Sequence, residues 1–180
     1  MTFALTRLSP LDGEAILPLA EAKEHLRVLH EDEDGLIRAL RDAAIAHIEN
    51  ATGMALAPTE YRWVMPRFEM RLDLPVKPAT ELGAVEYWDA DGEAQTVTGA
   101  VLRDGLVFPP AGAAWPAGYN RLAVTFTAGT ATPPADLLAA VKLMLGHLYA
   151  HREAVNVGNI VSQMPFGVEA LIQPYRRIAL

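Results

Sequence analysis

The hydrophobic period of this chain changes twice, and that double change limits what it can fold into. Leu36, Ile37, Leu40, Ala44, Ile48 and Ala51 recur at three- and four-residue intervals, the stripe of an amphipathic helix over roughly 32–51. Gly53 follows, where a left-handed residue ends many helices. Between 58 and 128 the spacing collapses to short runs such as EYRWVM, GAVEYWD and RLAVTFTAG, separated by turn formers. Met70, Leu72 and Leu74 alternate with Arg71 and Asp73, which gives a strand two unlike faces. Asp89-Ala90-Asp91-Gly92 reads as a hairpin turn. Helical spacing then returns after Pro133-Pro134-Ala135-Asp136, with Leu137, Val141, Met144, Leu145 and Leu148 on one stripe down to about His151.

A shorter helix precedes the first stripe, from Leu19 to about Leu29, with Ala22, Leu26 and Leu29 on one face. Residues 1–18 carry the breakers Pro10, Gly13 and Pro18 and read as an irregular lead-in. A loop over 156–167 leads to a last helix of about Val168–Gln173, which Pro174 ends or bends. The expected fold is therefore α+β: a small helical bundle with a β-rich hairpin insertion between the second and third main helices, and an extended C-terminal arm. As one domain over 1–180, its parts are a first helical pair at 19–53, the insertion at 58–128, a second helical block at 134–173 and the arm at 174–180. The apolar fraction of 51% over 180 residues is enough for a real core.

Composition removes several kinds of chemistry. There is no cysteine, so disulfides, thiolate metal sites and cysteine nucleophiles are excluded. The formal net charge of −7 argues against gripping nucleic acid through the overall field. Arg152, Arg176 and Arg177 are too sparse among apolar neighbours for a DNA-reading helix. The N-terminus lacks the basic leader and clean apolar run of a signal peptide, and no apolar stretch approaches the roughly 18 residues that span a bilayer. A soluble protein with no membrane contact is expected.

Candidate sites each have a plainer reading. The acidic run His30-Glu31-Asp32-Glu33-Asp34 lacks EF-hand spacing and suits a helix start capped by Asp32. His47 lies near the apolar stripe, as a packed or boundary residue would. His147 and His151 share a helical face at zinc-pair spacing, yet Leu148 follows where H-E-x-x-H needs glutamate. Ser9 and Ser162 sit in expected loops outside any nucleophile motif, and no phosphate-cradling glycine pattern is present. Trp115, in the Pro/Gly loop 109–118, reads as an anchor over a core edge. No catalytic residue, metal ligand or cofactor site is assigned, and an enzyme is not expected.

Four motifs in order resemble the head–tail connector, or adaptor, proteins of long-tailed bacteriophages and of phage-like particles such as gene transfer agents. They are L-x-E-A-K-x-H-L-R-V with the acidic turn, D-x-L-I-x-x-L and the exit E-x-x-T-G-x-x-L over 17–56; the hairpin VEYWDADGEAQTV; the block VTFTAGTATPPADLLAAVKLMLGHLYAHREAV; and PFGVEALIQPYR near the end. The resemblance covers about residues 17–177. It implies a structural protein of the virion neck, met in the host cytoplasm during assembly. About a dozen copies would form a ring that binds the portal protein, extends the DNA channel without sequence-specific binding, and receives a stopper or tail-completion protein. The same resemblance implies that the C-terminal segment reaches the portal, through Ile172, Pro174, Tyr175, Arg176, Arg177, Ile178 and Leu180. The alternatives are another neck or tail-completion protein, expected to be mainly β-rich, or a soluble enzyme or ligand-binding domain with an unfamiliar site. Phage, prophage and gene transfer agent are all compatible with the alanine- and proline-rich composition.

Overall fold

The computed structural model describes residues 4–151 and 165–176. Arg152, Ser162, Arg177, Ile178 and Leu180, and most of the expected 156–167 loop, lie outside the described residues. Both helices and antiparallel sheets are present, so the fold is α+β. The described chain forms two compact units. One joins the residues up to Pro10 with Pro58–Ala131; the other joins Leu11–Ala57 with the residues from Thr132 onward.

The first unit is all β. Its strands are β1 (Ala4–Arg7), β2 (Thr59–Met65), β3 (Leu72–Asp73), β4 (Ala79–Asp89), β5 (Ala94–Thr96), β6 (Val101–Arg103), β7 (Leu106–Phe108) and β8 (Tyr119–Ala128). A five-stranded sheet runs in the order β1-β2-β8-β4-β5, and a three-stranded sheet in the order β3-β7-β6. The insertion is thus more than a hairpin. Its longest pairings join strands far apart in sequence, such as Tyr61 opposite Phe126 and Leu82 opposite the same Phe126. The lead-in expected to be irregular supplies β1, which pairs with β2 through Leu5 and Trp63. Four residues of strand whose partner lies more than fifty positions away carry too little local pattern to be read.

One face of the large sheet buries Tyr61, Met65, Leu122, Val124 and Phe126. Tyr61 stacks on Phe126 with ring centroids 5.7 Å apart. The expected hairpin turn is present between β4 and β5. Asp89 Oδ1 accepts from Asp91 N–H at 3.1 Å and Glu93 N–H at 2.9 Å, and Gly92 takes φ 85°. Trp115 is a loop anchor: its ring stacks on Phe68 at 4.6 Å and its Nε1–H donates to Met70 O at 3.4 Å.

The second unit is helical: α1 (Gly13–Ile16), α2 (Leu19–Leu26), α3 (Asp34–Thr52), α4 (Ala135–Ala150), α5 (Phe166–Ile172) and a 3₁₀ turn (Gln173–Tyr175). Its core gathers Leu17, Ile37, Ile45, Ile48, Leu137, Val141, Leu145, Val168 and Ile172, each fully buried. The buried stripe of α3 is rotated from the expected one. Leu36 is exposed, Leu40 and Ala51 are half-buried, and Arg41 and Ile45 lie inside. His47, expected at the boundary, is exposed.

Arg41 can sit inside because its Nε and Nη1 groups find three acceptors. It donates to Glu14 Oε2 at 2.6 Å, Asp42 Oδ1 at 2.9 Å and Leu17 O at 3.1 Å. Gly13 makes that approach possible. A Cβ there would stand 1.9 Å from Asp42 Oδ1 and 2.7 Å from Arg41 Nε.

The start of α3 also differs from the capping expectation. Asp32 points into solvent, its side chain 92% exposed, and Glu33 holds the cap position without a side-chain bond to the helix. Asp34 instead pairs with Lys23 of α2 at 2.6 Å. Charge pairing between two helices has taken the acid that a cap would use. The exit of α3 is more tightly specified. Gly53 takes φ 69° and its N–H donates to Glu49 O, Thr52 Oγ1 donates to Ile48 O at 2.7 Å, and Leu56 N–H donates to the buried Glu49 Oε1 at 2.8 Å. Glu49, Thr52, Gly53 and Leu56 are the E-x-x-T-G-x-x-L motif, so its spacing has a direct hydrogen-bond explanation. No helix among the described residues is long and apolar enough to cross a membrane.

Candidate docking segment

The segment singled out in the sequence begins on α5 and ends beyond the described residues. Pro165 precedes α5 with φ −52° and ψ 133°, an extended residue that starts the helix where its carbonyl accepts from Val168 and Glu169. Val168 and Ile172 are spaced by four and both fully buried, which seats α5 on the helical core. Ile172 is therefore packed inside the chain's own unit. Pro174 falls in the first turn of the 3₁₀ segment, where its missing N–H costs nothing.

Tyr175 closes the segment. Its hydroxyl lies 2.9 Å and 2.8 Å from the two carboxylate oxygens of Asp136, in the first turn of α4. The hydrogen bond to that carboxylate raises the Tyr175 pKa above its ordinary value. The clasp holds the chain's last described turn to the start of α4. Arg176 donates to Glu169 Oε1 at 3.3 Å and lines a shallow cleft with Asn50, Ala51, Thr52 and Gly53. Those four residues form the C-terminal end of α3, where outward carbonyls favour a cation. Arg176 is thus placed, while Arg177, Ile178 and Leu180 continue outside the described residues. The structure brings Ile172, Pro174, Tyr175 and Arg176 together as one anchored stem.

The remaining candidates resolve into local structure. The rings of His147 and His151 lie 4.5 Å apart, and His151 Nδ1 sits 2.9 Å from His147 O. Among the described residues no group of three or more His, Asp or Glu side chains is arranged to hold a metal ion. Ser9 Oγ accepts from Glu60 N–H at 3.1 Å and so ties the lead-in to β2. Tyr149, from the H-x-Y-x-x-R-E stretch, donates to Glu33. Glu21 and Lys142 pair at 2.7 Å and join α2 to α4. The quoted motifs are mainly the places where helices of this unit grip one another.

Two surface features escaped the sequence reading. On the outward face of the large sheet, Trp88 of β4 lies under Arg121 of β8 at 4.1 Å and beside Arg62 of β2 at 5.9 Å. Glu86 and Trp88, two apart on β4, share a face, and their partners come from strands far away in sequence. The other feature is Leu29, expected on the apolar face of a helix running to about that residue; α2 ends at Leu26 instead, and Leu29 is 96% exposed. Arg27 before it ends α2 at φ 58°, a left-handed turn that no glycine announced.

No protein-family model matches the chain, and no curated protein sequence matches it. Solved structures do. A chain in the neck of an empty gene transfer agent particle, computed with C6 symmetry, is 30% identical over 98% of this chain and 97% of that one, with a TM-score of 0.77. A chain in the virion of a native gene transfer agent particle is 32% identical over 98% and 96%, with a TM-score of 0.78. A chain in the neck of a native particle computed with C12 symmetry is 29% identical over 98% and 97%, also with a TM-score of 0.78.

Proposed function

This chain belongs to the structural protein family of the gene transfer agent neck, and from that premise we propose that it is the adaptor: a ring component that joins the portal to the tail-side proteins and continues the DNA channel. The observation that carries the reading is near-complete coverage of neck chains at about 30% identity. The symmetry of those necks supports a closed ring of about twelve copies for this chain too.

The arm of 174–180 docks on the portal in this reading. Ile172, Pro174 and Tyr175 form its stem, held by the core and by Asp136. Arg176 completes the stem through Glu169, and Arg177, Ile178 and Leu180 supply the contact: a cation for acids on the portal and two apolar side chains for a dry patch. A net charge of −7 suits a channel that DNA slides through, since like charge keeps the phosphate backbone from lodging.

The test mixes the protein with the portal protein of the same genome and measures native mass. A variant ending at Arg176 keeps the Tyr175–Asp136 clasp and removes only the tip. A portal ring carrying about a dozen copies, lost on that truncation, supports the adaptor and its arm. Binding that survives truncation removes the arm from the account. Binding to a tail-side protein with none to the portal would make the chain a different neck component.

A further inference from the structure

We propose that neighbouring copies meet through two unlike patches: the Trp88 face of the β unit on one copy, and the Leu29 projection of the helical unit on the next. The inference rests on the ring reading and adds to it which residues touch.

Leu29 is the most exposed large apolar side chain in the described structure, at 96%. It is held there by local geometry. Arg27 takes the left-handed conformation, its N–H donates to Glu24 O, and Val28 N–H donates to Lys23 O at 3.0 Å. Val28 is turned inward, and Leu29 is left standing out. A strained turn that presents an apolar residue to water is a feature that folding of the unit does not require. Glu31 and Asp32, both exposed, place negative charge beside it.

The Trp88 patch has the opposite character. Arg121 is exposed directly opposite Trp88 in the strand register and lies over its ring. Arg62 flanks the same ring and shares its charge with Glu86 at 2.7 Å. Arg121 has no carboxylate partner among the described residues. The result is an aromatic, cationic surface, of the composition that anchors protein interfaces.

Each patch supplies what the other lacks. An apolar knob flanked by acids meets an aromatic platform flanked by arginines, so charge and apolar surface match together. A foreign partner would need only one of the two. A head-to-tail ring needs two different complementary patches on the same chain, and this chain carries both. That commits the occupant to a second copy.

The chain contains no cysteine, which makes the test direct. Particles are assembled with a chain carrying Glu31→Cys and Ala90→Cys, exposed positions beside the two patches that leave Leu29, Trp88 and Arg121 in place, and are treated with a short bis-maleimide. The expected product is a ladder of multimers. Mixing singly substituted chains should stop the ladder at dimers, because each interface is then bridged once and the chain has no second thiol. A control pair, Glu31→Cys with Glu81→Cys at the far end of β4, should give monomers. As a second readout, Asp32→Arg should cut incorporation of the chain into particles about tenfold, and adding Arg121→Asp should restore it. Monomers only, in particles whose neck visibly carries the ring, would overturn the pairing while leaving the ring intact. Absence of the chain from the neck of unsubstituted particles would overturn the ring reading and this inference with it.

Discussion

Gly13→Ala is the most demanding check of how the helical unit is built, because the substitution should normally help a helix. Alanine in place of glycine gains about 1 kcal/mol in a helix interior. Here the added Cβ would stand 1.9 Å from Asp42 Oδ1 and 2.7 Å from Arg41 Nε. Arg41 is only 4% exposed and pinned by three acceptors, so it has nowhere to go. The Asp42 side chain is 41% exposed and can swing into solvent. Yielding in that way loses a charge-assisted hydrogen bond worth about 1.5–3 kcal/mol. The balance is a net destabilisation of about 0.5–2 kcal/mol, or a fall in melting temperature of about 1–8 °C.

The readout must separate the two units. All three tryptophans, Trp63, Trp88 and Trp115, lie in the β unit, so their fluorescence follows that unit. Helical circular dichroism in urea follows the other. The decisive comparison is a double-mutant cycle with Asp42→Ala, which removes both the bond and the nearest obstacle in advance. Gly13→Ala should then cost at least 1 kcal/mol less than it does alone. A coupling below about 0.5 kcal/mol, or a stabilising Gly13→Ala in the native background, would refute the account.

Glu49→Ala should destabilise the helical unit by about 1–3 kcal/mol, because Leu56 N–H loses its buried acceptor. Glu49→Gln keeps an acceptor oxygen and should recover most of that loss, as urea midpoints would register. Arg27→Gly should stabilise by about 0.5–1 kcal/mol in a urea series, relieving the left-handed strain at the cost of extra freedom in the unfolded chain. In acid, the Arg41 hydrogen bond holds the Glu14 pKa below its ordinary 4.5, so its contribution is complete above that value and is lost as pH falls through the lower folded value. Glu14→Gln should flatten that acid limb in a pH series of melting temperatures. At the alkaline end the sign reverses: the raised Tyr175 pKa makes its contribution complete below 10.0 and lost as pH rises through the higher folded value, and Tyr175→Phe should remove that slope.

The legible parts of the fold were those whose signal is local. The period of α3 and α4, the Gly53 exit and the Asp89–Gly92 turn each depend on residues within a turn or two of one another. The stripe on α3 was misplaced by part of a turn because a charged residue, Arg41, lies inside it. Its burial depends on Glu14 and the Leu17 carbonyl, more than twenty positions away. The β1 strand was missed for the same reason, as was the Arg121–Trp88–Arg62 stack, which joins three strands that pair only in the folded sheet. Within the C-terminal segment, the sequence did not show what holds two of the expected contact residues. Ile172 and Tyr175 looked free to bind a partner, yet the core and Asp136 hold them at home.

By itself, the sequence determined the switch from helix to strand and back, the absence of thiol chemistry, and the turn and helix-exit signals at Gly92 and Gly53. These follow from periodicity, composition and spacing, which are properties of neighbouring residues. Only the tertiary structure decided what the motifs hold together. Lys23 meets Asp34, Glu49 meets the Leu56 amide, Tyr175 meets Asp136, and Arg41 becomes an interior residue. The physical reason is that a polar side chain can leave water only when its partners have already been brought to it, and the chain's path through space decides which partners those are.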